Sequence, residues 1–120
     1  MSLNDDPCLL DSNRSFDNRF LYLTTIGRKT GIARTIEIWF VEHNGRLYVL
    51  AEHGYKAHWV QNVEANPAVT IKLGEMVWTA TGRVLEPEAD SELYATVRDL
   101  ARQKYQWGDG LPVEFRLAQR

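Results

Sequence analysis

A mainly β domain of the α+β class is what the sequence predicts: about six mostly antiparallel strands curled into a small barrel, with two flanking helices packed outside. Three observations lead there. Asn44-Gly45 sits between two β-rich runs, and both residues tolerate the positive φ that a two-residue hairpin turn needs. Gly82 interrupts the long run 76–85, as expected where a small sheet bends or bulges in order to curl. Only two stretches carry helical spacing, a short one over 58–65 and a long one over 87–106. The order therefore reads β-β-β-α-β-β-α-β.

Each element has its own signal. Residues 1–15 are polar and hold the turn formers Asn4, Asp5, Asp6 and Pro7. They read as an N-terminal arm, with Cys8, Leu9 and Leu10 docking on the body, and residues 16–120 read as the single domain. Residues 19–26 are rich in β-branched and aromatic side chains and make a first strand. Gly27 to Gly31 breaks it. Residues 34–42 make the second strand, with Ile36, Ile38 and Phe40 on one face and Thr35, Glu37, Trp39 and Val41 on the other. Residues 46–51 complete the hairpin.

A loop over 52–57 leads into the short helix, whose buried stripe would be Trp59, Val60 and Val63. Asn66-Pro67 stops it, because proline disfavours helix in the residue before it. Strands follow over 68–73 and 76–85, joined at Gly74-Glu75. The long helix carries Leu93, Val97, Leu100 and Lys104 at helical spacing. Acids (Glu88, Asp90, Glu92) stand at its start and bases (Arg98, Arg102, Lys104) near its end, which complements the helix dipole. Gly108 and Gly110 end it, and 113–117 makes a final edge strand.

The chain's 120 residues suit one modest core. With 44% hydrophobic and 25% charged residues it has the make-up of a folded globular domain, not a disordered one. A net charge of −2 argues against a nucleic-acid partner, which would call for a strongly basic surface. The single cysteine, Cys8, excludes an internal disulfide and a cysteine-rich metal site. No run approaches the ~18 apolar residues that span a bilayer, and the N-terminal acids do not fit a signal peptide. A cytoplasmic location is the expectation.

Chemistry concentrates early. Arg14, Arg19, Arg28, Lys29 and Arg34 cluster in one stretch, while acids gather at Glu86, Glu88, Asp90 and Glu92. In the turn Gly27-Arg28-Lys29-Thr30-Gly31 the glycines let backbone N–H groups approach a ligand. Arg28 and Lys29 add charge and Thr30 a hydroxyl. Arg34 returns at the next strand, where a guanidinium can take phosphate oxygens in pairs. The spacing is not that of a P-loop and no helix follows, so nucleotide hydrolysis is unsupported. On these residues alone, an anion-holding turn and a solvated basic β-turn both remain open.

The runs Leu23-Thr24-Thr25-Ile26-Gly27-Arg28-Lys29-Thr30-Gly31, Arg34-Thr35 and Trp39-Phe40-Val41 resemble the deazaflavin-dependent nitroreductase family. So do Leu47-Tyr48-Val49-Leu50-Ala51, Trp59-Val60-Gln61-Asn62 and Ala65-Asn66-Pro67-Ala68-Val69, in the same order over residues 20–86. The resemblance implies a split β-barrel and coenzyme F420, an anionic 8-hydroxy-5-deazaflavin. It implies that Gly27, Arg28, Lys29, Thr30, Gly31 and Arg34 hold the phosphate region. Ala51, Glu52, His53, Gly54 and Lys56 would then lie along the ring, with Trp59 and Asn62 bracing that loop. The chain departs from the family in a shortened loop, where Glu52 either repels an electron-rich ring or points to solvent.

The activity implied is hydride transfer from the reduced deazaflavin to a small electron-poor acceptor: a quinone, nitroaromatic or activated alkene. Tyr55, His53 and Tyr105 are the candidate proton donors, with Tyr105 and Trp107 as a partial match to the family's aromatic substrate wall. FMN on the same barrel type is the alternative cofactor, and non-catalytic carriage of a cofactor or apolar ligand the alternative role. A monomer and a homodimer both fit. His53, His58 and Glu52 have no recognised metal-ligand spacing, so no metal is expected. His43, beside Asn44-Gly45, reads as a turn residue. Trp39 and Trp78 fall among polar neighbours, which leaves a groove role open beside the core.

Overall fold

The computed structural model describes residues 20–118. The arm over 1–15, with Cys8 and Arg14, lies outside the described residues, as does Arg19. Seven strands and two helices follow in order: β1 (Phe20–Ile26), β2 (Ala33–Trp39), β3 (Val41–His43), β4 (Arg46–Ala51), α1 (His58–Ala65), β5 (Ala68–Leu73), β6 (Met76–Val84), α2 (Ser91–Tyr105) and β7 (Leu111–Leu117). One 3₁₀ turn, Gly54–Lys56, precedes α1. All strands share one antiparallel sheet of order β2-β1-β5-β6-β7-β4-β3. The fold is the split β-barrel expected.

The second strand of the sequence reading is two strands. It breaks at Phe40, and the halves β2 and β3 become the opposite edges of the sheet. The two edges are therefore consecutive in the chain, so the sheet closes on itself covalently at one corner while the ladder stays open. Phe40 is buried at that corner, where its backbone groups must find partners outside the sheet. The Tyr105 hydroxyl supplies both, donating to the Phe40 carbonyl at 2.7 Å and accepting from its N–H at 3.1 Å. Lys104 Nζ donates to the same carbonyl at 2.9 Å.

Alternation builds the core as the pattern requires. Leu21, Leu23 and Thr25 of β1 point inward with Leu47, Val49 and Ala51 of β4, Val69, Ile71 and Leu73 of β5, and Val113 and Phe115 of β7. Val60 and Val63 of α1 join this cluster. The outer side of β4, at Tyr48 and Leu50, is covered by α2 through Val97, Ala101 and Tyr105. The Asn44-Gly45 turn has φ of 53° and 79°, the geometry the hairpin needs.

Two expectations need correction. β7 is not an edge strand: it lies between β6 and β4, and it begins early enough to include Pro112. Proline is tolerated because Pro112 sits one residue beyond the last β6 pair, Val84 with Val113, and offers its carbonyl to Leu85 N–H at 3.0 Å. Gly82 marks no bulge either, since its ladder with β7 runs unbroken from Ala80 to Val84. A Cβ there would meet Val63 Cγ1 at 2.8 Å and Phe115 Cε1 at 2.9 Å, so glycine lets helix and sheet approach. The long helix starts at Ser91, later than expected, because the Asp90 carboxylate accepts from Glu86 N–H at 2.9 Å and closes a separate turn.

Candidate active site

At the split, β2 and the segment from Glu52 to His58 face each other across a cleft of about 890 Å³. Its lining includes the apolar side chains of Ile36, Ile38, Trp39, Leu50, Trp59 and Trp107, together with Arg34, Lys56 and His58 and the carboxylates of Glu37 and Glu52. Arg34 and Trp39 lie five residues apart on β2, about 16 Å at strand rise. Arg34 and Trp39 thus stand toward opposite ends of the groove's β2 wall.

The glycine turn adjoins the Arg34 end. Gly27 N–H donates to the Ile32 carbonyl at 2.9 Å and Gly31 N–H to the Gly27 carbonyl at 2.8 Å, a tight closure that uses positive φ at Gly31 (73°). A Cβ on Gly27 would stand 2.6 Å from Thr30 Oγ1, so glycine is needed there for space. Thr30 Oγ1 accepts from Ile32 N–H at 3.2 Å. Asn62 of α1, 4% exposed, ties the turn down. Its Oδ1 accepts from Arg28 N–H at 3.1 Å and Arg28 Nη1 at 2.9 Å, and its Nδ2 donates to Thr25 Oγ1 at 3.3 Å. Arg28 Nη2 also lies 3.5 Å from His58 Nδ1. Lys29 is exposed.

Of the sequence-predicted residues, Arg34, Glu52, His53, Lys56, Trp59 and Asn62 line the cleft. Ala51 is buried just beneath, at the end of β4. Gly54 takes φ of 59° and starts the 3₁₀ turn. Asn62 does not brace the loop over 51–56 as expected; it holds the glycine turn. Gln61 braces the loop instead, donating from Nε2 to the Tyr55 carbonyl at 2.9 Å. Thr25, Ile36 and Ile38 line the cleft without having been singled out as site residues. Thr25 had a legible signal, since alternation puts it on the inward face of Leu21 and Leu23.

The three proton-donor candidates separate. His53 lines the cleft. Tyr55 is exposed and lines a different pocket, with Val63, Glu64, Arg83 and Glu86. There partial burial and the nearby carboxylates of Glu64 and Glu86 push its phenol above the ordinary range. Tyr105 lies behind the cleft wall: its hydroxyl is engaged with Phe40, and its ring stacks on Trp39 at 4.4 Å with 4° between planes. A buried phenol committed to two backbone groups is placed to hold structure.

The donor set fits a flat, anionic redox cofactor. It provides a groove of about 890 Å³ with a largely apolar lining that also carries Arg34 and Lys56, and beside it a glycine turn that carries Arg28 and Lys29. The fold is a split barrel, and the groove at the split is its candidate cofactor site. The profile of the F420H(2)-dependent quinone reductase family matches residues 13–116, and the chain belongs to that family. It is an F420-dependent oxidoreductase with coenzyme F420 as its cofactor.

Solved structures share the fold. An F420-H2 dependent reductase (FDR-A) is 28% identical, with TM-score 0.63 over 84% of this chain and 95% of its own. A domain-swapped dimer is 27% identical, with TM-score 0.59 over 84% and 81%. The haem-storage protein HutZ of Vibrio cholerae shares the fold at 20% identity, with TM-score 0.70 over 93% and 91%. Among the described residues, no helix is long and apolar enough to cross a membrane.

Proposed function

We propose that this protein uses reduced coenzyme F420 to reduce a small electron-poor acceptor: a quinone, a nitroaromatic or an activated alkene. The observation that carries the reading is the make-up of the groove, which brings Arg34 and Lys56 together with an apolar lining that includes Trp39 and Trp107. Bound reduced deazaflavin supplies the hydride; the protein supplies binding, orientation and a proton.

In this reading Arg34, Lys29 and the remaining guanidinium donors of Arg28 hold the phosphate and acidic tail. The backbone from Ala51 to Lys56, held by Gln61 at the Tyr55 carbonyl, would lie along the ring edge, with Trp59 beside it in the cleft. Leu50, Ile36 and Ile38 give the reacting end an apolar lining. A His53 ring nitrogen delivers the proton that the reduced acceptor takes up. It is favoured over Tyr55 and Tyr105 because it alone of the three lines the cleft.

The test is a titration with oxidised coenzyme F420 followed by its fluorescence, then turnover of the reduced form with menadione, followed by deazaflavin absorbance. Saturable quenching and menadione-dependent oxidation are expected. Absence of quenching at micromolar protein would overturn the reading. Binding without turnover across quinones, nitro compounds and alkenones would favour a carrier role.

A further inference from the structure

Trp39 is large, apolar and 43% exposed, yet its ring plane is tightly specified. Tyr105 stacks on it at 4.4 Å, and Trp107 meets it edge-on at 6.5 Å and 70°. Tyr105 is itself fixed, since its hydroxyl bonds both backbone groups of Phe40, the residue next to Trp39. Lys104 adds a third tie, with Nζ 2.9 Å from the Phe40 carbonyl and 3.8 Å above the Phe40 ring centre. The end of α2 thus sets both the backbone corner and the indole plane, and Trp39 and Trp107 line the cleft at the end away from Arg34.

A flat electron-rich indole, held by a stack behind it, favours a flat electron-poor ring in front, because their quadrupoles are complementary. We propose that Trp39 is the specificity-determining residue of the acceptor end, selecting planar aromatic acceptors, and that Tyr105 is a positioning residue acting through it. This rests on the acceptor class given above and narrows it. Tyr105 neither donates a proton nor touches the acceptor; it fixes the wall that does.

Two variants test it, Trp39→Leu and Tyr105→Phe. The second keeps the ring and loses only the oxygen on Phe40. Two acceptors are compared, menadione and cyclohexenone, which has no aromatic face. Both variants are expected to raise KM for menadione about five- to tenfold, the worth of one aromatic contact. KM for cyclohexenone and the deazaflavin Kd should stay unchanged. In cofactor-free protein, menadione should shift the Trp39 indole N–H resonance, assigned with Trp39→Phe, and Tyr105→Phe should broaden that resonance. Trp39→Phe should restore part of the menadione selectivity lost in Trp39→Leu.

KM values that rise together for both acceptors, or a Trp39 resonance indifferent to menadione, would overturn the proposal. If the parent protein oxidised no reduced deazaflavin at all, the functional reading would fall, and the resonance titration would still decide the platform. Should Tyr105→Phe not fold, Trp39→Leu and the resonance titration decide it alone.

Discussion

The side-chain carbonyl of Asn62 accepts both the backbone N–H and the guanidinium of Arg28, at 3.1 and 2.9 Å. One buried amide on α1 therefore fixes the conformation of the glycine turn and the direction of its first cation. Asn62→Leu removes both bonds and the donor to Thr25. It should cost ~1–3 kcal/mol, the penalty for buried groups left unpaired. It should also weaken deazaflavin binding by loosening the turn. Urea unfolding and fluorescence titration of one preparation measure both effects.

Arg34 lines the cleft from the strand after that turn and is exposed, so its loss should cost binding more than folding. Arg34→Ala should raise the deazaflavin Kd about 10- to 100-fold, the worth of a charge-assisted contact. Arg34→Lys should recover part of it, since a lysine keeps the charge but not the paired geometry. The salt dependence of Kd should be shallower in Arg34→Ala, measured by titration at rising ionic strength.

Of the candidate donors, only His53 faces the groove. His53→Gln should lower kcat about a hundredfold or more if its proton transfer is part of the slow step, with deazaflavin Kd little changed. Tyr55→Phe should leave kcat near the parent value. Stopped-flow oxidation of the reduced cofactor compares them directly, and the reverse order would move the proton donor to Tyr55.

On the far side of the sheet, Glu114 is 2% exposed. It accepts from Tyr48 Oη at 2.9 Å, Arg46 Nη1 at 3.1 Å and Arg83 Nε at 3.4 Å. Burial alone would raise its carboxyl, but the Tyr48 hydrogen bond and the two guanidiniums hold it below the ordinary range. Burial and the same carboxylate push the Tyr48 phenol well up. A carboxyl depressed in the folded state stabilises above its unfolded pKa, and that contribution is lost as pH falls through the folded value. Glu114→Gln should cost ~1–3 kcal/mol near neutrality and flatten the acid limb of stability against pH. Urea midpoints across a pH series measure it.

Much of the fold was legible because local chemistry decided it. Asn44-Gly45 could only turn, Asn66-Pro67 could only end α1, and alternation put Leu21, Leu23 and Thr25 inward together. The break at Phe40 was not, because alternation runs straight through Trp39, Phe40 and Val41. What stops the strand is a hydroxyl 65 residues away. The central place of β7 was hidden for a like reason: nothing within 113–117 tells that β6 and β4, distant in the chain, pair on its two sides. In the site, the Arg34 end was legible as a basic turn with a returning arginine. The Trp39 end was not, since Trp39 reads equally as core until Tyr105 and Trp107 are placed beside it.

The position of β7 also governs when the molecule can exist at all. It joins β2-β1-β5-β6 to β4-β3, and without it the sheet is two fragments, each with a raw edge. This bridging strand follows the six other described strands in chain order. During synthesis both fragments must wait, with apolar faces half covered, for residues 111–117 to emerge. Nascent chains stalled before that point should bind chaperones and resist compaction, and release of a few further residues should trigger the collapse of both fragments together.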